Sequence, residues 1–91
     1  MLVLSTQRFP AADVARLEAA GCTYRYVPPG GDPHGASSEQ FHAGIYALEQ
    51  AVRREAVVLV TPCFHVTPRL LDALPALQWV HHPGAGVNSG P

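Results

Sequence analysis

Cysteine is scarce in this chain of 91 residues: Cys22 and Cys63 are the only two. A small secreted scaffold held by disulfides needs more, so both are expected as free, buried thiols in a reducing compartment. Charge is sparse as well, at 14% of residues with a formal net charge of −1 and no cluster of Lys or Arg. Nucleic acid and anionic membrane are therefore not expected partners. No apolar run approaches the roughly 20 residues of a membrane span. The start, Met1-Leu2-Val3-Leu4-Ser5, has neither a basic leader nor an apolar segment of signal-peptide length. These absences predict a soluble, cytoplasmic chain. Also missing are a phosphate loop, a G-x-G-x-x-G pattern and a pair of carboxylates placed for acid–base work. His81 and His82 are adjacent on a strand and point to opposite faces, so they cannot chelate one metal together, and no metal site is expected.

What is present describes a globular chain. Hydrophobic residues make up 47%, far from the composition of disorder, and the length suits one domain at most. Residues 1–5 read as a strand buried on both faces. Pro10 suits a helix start, and residues 11–20 place Val14 and Leu17 on one face before Gly21 supplies a left-handed stop. Residues 22–27 alternate as a second strand. Six of the nine residues 28–36 are proline or glycine, so this stretch can only be a loop, with His34 solvated inside it.

Ser37 and Gln40 fit a capping box, and Phe41, Ile45, Leu48 and Val52 recur at helical spacing. The pattern predicts one helix, with a Glu49 to Arg53 ion pair and with His42 off the apolar stripe and exposed. Residues 56–61 form a continuous β-branched run, expected as a central parallel strand, and Cys63 in the following turn is expected to be buried. Thr67 caps a short helix, Pro68 takes its first position, and Leu70, Leu71 and Leu74 should be buried. Leu77 to His82 then reads as a buried strand that Pro83 ends. The alternation predicts an α/β fold: a flavodoxin-like open parallel sheet with helices on both faces, incomplete, with about four strands and three helices.

In such a sheet, ligands bind outside the carboxyl ends of the strands. Residues 5–10, 62–66 and 82–88 are the loops that meet this description. In the last of them Gly84 and Gly86 flank Ala85, so consecutive backbone N–H groups can turn outward and hold a carboxylate or phosphate. The same spacing equally suits a turn that uses glycine only for its φ angles. His65 shares the rim in this arrangement, as a ligand contact or as a loop histidine bonded to backbone. Cys63 and His65 are not read as a nucleophile and base, because sequence neighbours rarely reach that geometry.

The block from Thr67 to Val80, followed by Pro83-Gly84-Ala85-Gly86-Val87-Asn88, resembles the D-isomer-specific 2-hydroxyacid dehydrogenases. It is similar to the end of the first segment of their substrate-binding domain: a helix closed by a leucine–proline pair, a strand with Leu and an aromatic, then a Gly-Ala-Gly-Val-Asp turn. Asn88 stands where the family usually has Asp, which keeps the turn-forming hydrogen bonds and loses the charge. The resemblance implies that residues 1–91 are a single partial substrate-binding domain without the NAD-binding domain. It implies a small 2-hydroxy or 2-keto acid as partner, with its carboxylate on the amides of Ala85 and Gly86 beside Gly84 and its other end bordered by the loop of His65. The arginine, acidic residue and histidine that transfer hydride in the family belong to the following nucleotide-binding domain. So does the site for NAD or NADP. No catalytic or cofactor-binding residue is therefore expected here, and the missing C-terminal half or a second copy of the chain would be the macromolecular partner. The alternative is a non-catalytic flavodoxin-like module that binds a small anion or self-associates across its open sheet edge.

Overall fold

The structure is a computed structural model that describes residues 1–83. Its first strand, β1 (Leu2–Ser5), leads through α1 (Ala11–Ala19) to β2 (Thr23–Tyr26), and the two strands pair in parallel. Pro10 caps α1, and Gly21, at φ +88°, ends its run where a side chain would be strained. After a loop come α2 (Ser38–Phe41), α3 (Ala43–Tyr46) and α4 (Gln50–Glu55), then β3 (Ala56–Val60), a single 3-10 turn (Cys63–His65), α5 (Pro68–Ala73) and β4 (Trp79–His81). The strand order is β2-β1-β3-β4, all parallel: the α/β open sheet of the flavodoxin type, incomplete. The chain steps from β1 to β2, passes back over β1 to β3 and continues in that direction to β4. Right-handed crossovers then put α1 on one face and the later helices on the other.

The two faces are unequally closed. Parallel partners share a face, so Leu4 with Leu59 lies on one side and Val3, Val58 and Trp79 on the other. Leu4 and Leu59 join Val27, Ile45, Ala56, Leu70 and Leu74 in one buried core beneath α3 and α5. Gly44 allows that approach: a Cβ there would stand 2.8 Å from a Val27 methyl. On the opposite face α1 buries no residue fully, and Val14 and Leu17 are only half-buried.

Several expectations need correction. The stretch from Ser38 to Glu55 is three short helices rather than one. Its apolar spacing is genuine, but His42 (φ −97°, ψ 15°) and Glu49 (φ −59°, ψ 145°) leave helical geometry, and the chain bends around the core at each. His42 is buried, not exposed, because that bend turns its ring inward onto Thr61. Arg53 does not pair with Glu49; its Nε donates to the Leu48 carbonyl at 3.1 Å and its Nη1 to the Ala73 carbonyl at 3.3 Å. Those bonds tie α4 to the end of α5. Ser37 caps α2 by accepting from the Gln40 N–H, while the Gln40 amide reaches the Gly30 carbonyl instead of closing the box. Leu71 is exposed because a helix of six residues buries one stripe, taken here by Leu70 and Leu74. Cys22 is half-buried, and Cys63 is exposed because it opens the 3-10 turn on the rim; both are free thiols.

Trp79, expected in a buried strand, is 64% exposed. It sits on the edge strand, and among the described residues nothing packs over it. As the only tryptophan, it is a clean reporter. At low concentration its emission should be water-like and quenched by acrylamide almost as fast as free indole. A blue shift on concentration would show that a second copy covers this face.

Candidate functional site

All four strands release their chains at one end of the sheet. β1 runs on into Thr6, Gln7 and Arg8, and β2 ends at Tyr26 before the loop of Pro29, Pro33 and His34. β3 leads to Pro62 and Phe64, and β4 to His82 and Pro83. These residues, with Phe41, line a cleft of about 500 Å³. It opens where β1 and β3, neighbours in the sheet, send their chains in opposite directions, the place where open α/β sheets take ligands. The volume lies within the range of small-molecule sites.

Local hydrogen bonds hold the β1 side of the rim. The Gln7 N–H donates to Ser5 Oγ at 3.0 Å, and the Ser5 hydroxyl donates to the Gln7 carbonyl. The Tyr24 hydroxyl donates to that same carbonyl at 2.8 Å and accepts from the Phe9 N–H at 3.0 Å. Phe9 stacks on the Tyr24 ring, with centroids 5.0 Å apart. The backbone on both sides of Arg8 is thereby fixed, and its guanidinium lies 4.8 Å from the centre of the Tyr26 ring. The two ion pairs among the described residues, Arg16 with Asp13 and Arg69 with Glu39, leave Arg8 out.

On the other side, the Cys63 N–H donates to His82 Nδ1 at 2.9 Å, which places the proton of the neutral ring on Nε2. His34 stacks on Phe64 with centroids 5.6 Å apart. Among the described residues no carboxylate lines the cleft; its basic groups there are Arg8, His34 and His82.

Behind this lining lies a buried polar layer. The Thr6 hydroxyl donates to the Val60 carbonyl at 3.2 Å and lies 3.4 Å from Thr61 Oγ1. Thr61 Oγ1 is 2.6 Å from His42 Nε2, and His42 Nδ1 is buried without a partner among the described residues. Whichever nitrogen carries the proton, one polar atom is left unsatisfied. Burial, and secondarily the charge of His65, push the His42 pKa from 6.5 down to about 4, so the ring is neutral near pH 7.

His65 is buried beside this layer. Its Nε2–H donates to the Pro33 carbonyl at 2.5 Å, and its Nδ1 pairs with the Ser38 hydroxyl at 2.9 Å. The ring also stacks on Phe41, centroid to centroid 4.5 Å. His65 thus stands behind the cleft wall and ties the 3-10 turn to α2 and to the Pro-rich loop, while its neighbours Phe41, Phe64 and Pro33 face the cleft. The other expected binding residues, Gly84, Ala85 and Gly86, lie outside the described residues. Arg8, Tyr26, Thr6 and the His42–Thr61 pair were not singled out by sequence. The signal for Arg8 was present in part, since its loop was expected on the rim. Among the described residues, no group of three or more His, Cys, Asp or Glu is placed to hold a metal.

No family model, curated protein or solved structure matches the chain.

Proposed function

We propose that the cleft binds a small 2-hydroxy or 2-keto acid, and that the chain is the substrate-binding part of an NAD(P)-dependent D-2-hydroxyacid dehydrogenase. One observation carries this reading: a cleft at the switch point of the sheet, lined by an arginine and two histidines and, among the described residues, by no carboxylate. A carboxylate entering it gains favourable field without meeting a like charge. The sequence Gly84-Ala85-Gly86 follows directly on Pro83 at the rim, and its amides are the proposed holders of the acid's carboxylate. His65 acts by fixing Phe64 and Pro33 in the wall that borders the far end of the acid.

The β1–α1 connection does not suit a nicotinamide cofactor. Where a nucleotide phosphate would approach a helix N-terminus, the β1–α1 connection carries Gln7, Arg8 and Phe9 in place of glycine, and Pro10 removes an amide. The chain alone is therefore inactive as a dehydrogenase, and measurable NADH oxidation with glyoxylate would refute that.

The binding claim is tested by an amide-resolved NMR titration with oxalate, glyoxylate and phosphate, and with NADH separately. Shifts at Ala85, Gly86 and Val87 together with Thr6 and His82 on adding carboxylates, and none with NADH, are expected. A folded spectrum indifferent to every carboxylate would overturn the proposal.

A further inference from the structure

One stretch of the cleft wall is tied to the rest of the molecule at very few points. Residues 30–41 run from the loop after β2 through α2, and most of their hydrogen bonds close on themselves. The Gly30 N–H donates to the Phe41 carbonyl at 3.1 Å and joins the two ends. Inside, the Gly35 and Ala36 N–H groups donate to the Asp32 carbonyl at 3.1 and 2.8 Å. Beyond its immediate flank, and among the described residues, the stretch bonds to the fold at three points. Ser38 Oγ pairs with His65 Nδ1, the Pro33 carbonyl accepts from His65 Nε2–H, and Glu39 pairs with Arg69. Arg69 and Glu39 are both exposed, so that pair contributes little. The other two ties converge on one imidazole.

Apolar anchoring is concentrated at the same place. Phe41 is the one buried residue of the stretch, 3% exposed, and its ring stacks on His65 at 4.5 Å. His65 is itself fixed in the 3-10 turn, where its N–H donates to the Pro62 carbonyl at 3.0 Å. The stretch ends at His42, which is held on Thr61 at the close of β3 and bounds any movement there.

We propose that residues 30–41 are a strap that opens as one cooperative unit while the sheet stays folded, and that His65 is its latch. Release takes Pro33, His34 and Phe41 out of the cleft wall, so the cleft alternates between a walled and an open form. This goes beyond the reading of the cleft as an acid site and does not depend on it. The unlatched strap keeps no structure of its own, because a helix of four residues does not persist without packing. Opening therefore exposes its amides together, at a free energy well below that of the sheet.

Hydrogen exchange of the full chain, followed amide by amide near neutral pH in increasing urea, tests this. The amides of Gly30, Ala36 and Phe41 should share one opening free energy, lower than that of the β1 and β3 amides and almost insensitive to urea. His65→Phe keeps a ring for Phe41 to stack on and removes both hydrogen bonds. The shared protection should then fall about thirtyfold, the scale of two net hydrogen bonds. Ser38→Ala removes one of them at a half-buried position and should lower it about fivefold, a second reading of the latch should His65→Phe not fold. Glu39→Gln, at the exposed ion pair, should change it by less than about threefold. Strap amides that exchange only together with β1 and β3, at the same urea sensitivity, would overturn the strap, and so would strap amides that open at unrelated free energies. Protection that ignores both His65→Phe and Ser38→Ala would overturn the latch.

Discussion

Leu59→Ala is expected to remove about 3–4 kcal/mol of stability, the range for a large-to-small change at a well-packed site. Leu59 is completely buried in β3, the strand between β1 and β4, and it abuts Leu4 in register while α3 and α5 close over both. No described element can collapse into the space, because the sheet fixes one wall and Ile45, Leu70 and Leu74 fix the other. A domain of this size has roughly 5–14 kcal/mol in total. At about 4–8 °C per kcal/mol, the melting temperature should fall by more than about 12 °C. Leu71→Ala is the control, since Leu71 is 46% exposed, and it should shift stability by less than about 0.5 kcal/mol. Thermal melts followed by circular dichroism compare the two. Similar small losses in both variants would show that the core does not carry the fold as described.

The strands and their order of use were legible because each apolar run was bounded by a residue with only one physical meaning. Gly21 could only be a left-handed stop, Pro62 could only end a ladder, and the Pro-Gly loop before Ser37 could only be a connection. Thr67 and Ser37 were readable as caps because a hydroxyl three residues ahead of a free N–H has a definite use, and both make that bond. What sequence hid depended on distant partners. His42 sits one residue after Phe41 and falls off the helical stripe, so periodicity sends it to solvent. Its actual position is set by Thr61, nineteen residues on, which no local pattern registers. Trp79 was read as buried because an apolar strand looks the same at the centre of a sheet and at its edge; only the strand order tells them apart.

The candidate site divides along the same line. Which loops converge was predictable, since the end of the sheet that binds ligands follows from strand direction alone. Which side chains point into the convergence was not. Arg8 reaches its place through the bonds that Ser5 and Tyr24 make to the backbone around it, and through the Tyr26 ring. His65 was expected on the rim and lies just behind it, because both its ring nitrogens are already engaged.

Acidification from pH 6.5 to pH 4 should weaken the fold through His42 by about 3 kcal/mol, the equivalent of its displaced titration. In the unfolded chain this ring takes up a proton near 6.5, whereas in the folded chain it does so only near 4. Between those values the unfolded state binds more protons, so stability rises with pH across the window and is fully regained above it. The structural cause is direct: the ring is only 1% exposed, Nδ1 has no partner among the described residues, and His65 stands 6.1 Å away, centre to centre. A proton on His42 would thus place a charge where neither water nor a carboxylate meets it. Carboxylates also titrate towards pH 4, so the comparison must be with His42→Leu, which keeps an apolar side chain in the same space. Urea unfolding at a series of pH values should give the wild type a steeper fall between 6.5 and 4 than the variant, so that the difference between the two curves shifts against the wild type by about 3 kcal/mol across that window. Above pH 7 the variant loses the bond to Thr61 and also the orphaned nitrogen, two changes of opposite sign. Parallel curves across the whole range would mean that His42 is hydrated or paired in solution, and would remove the buried polar layer from behind the cleft.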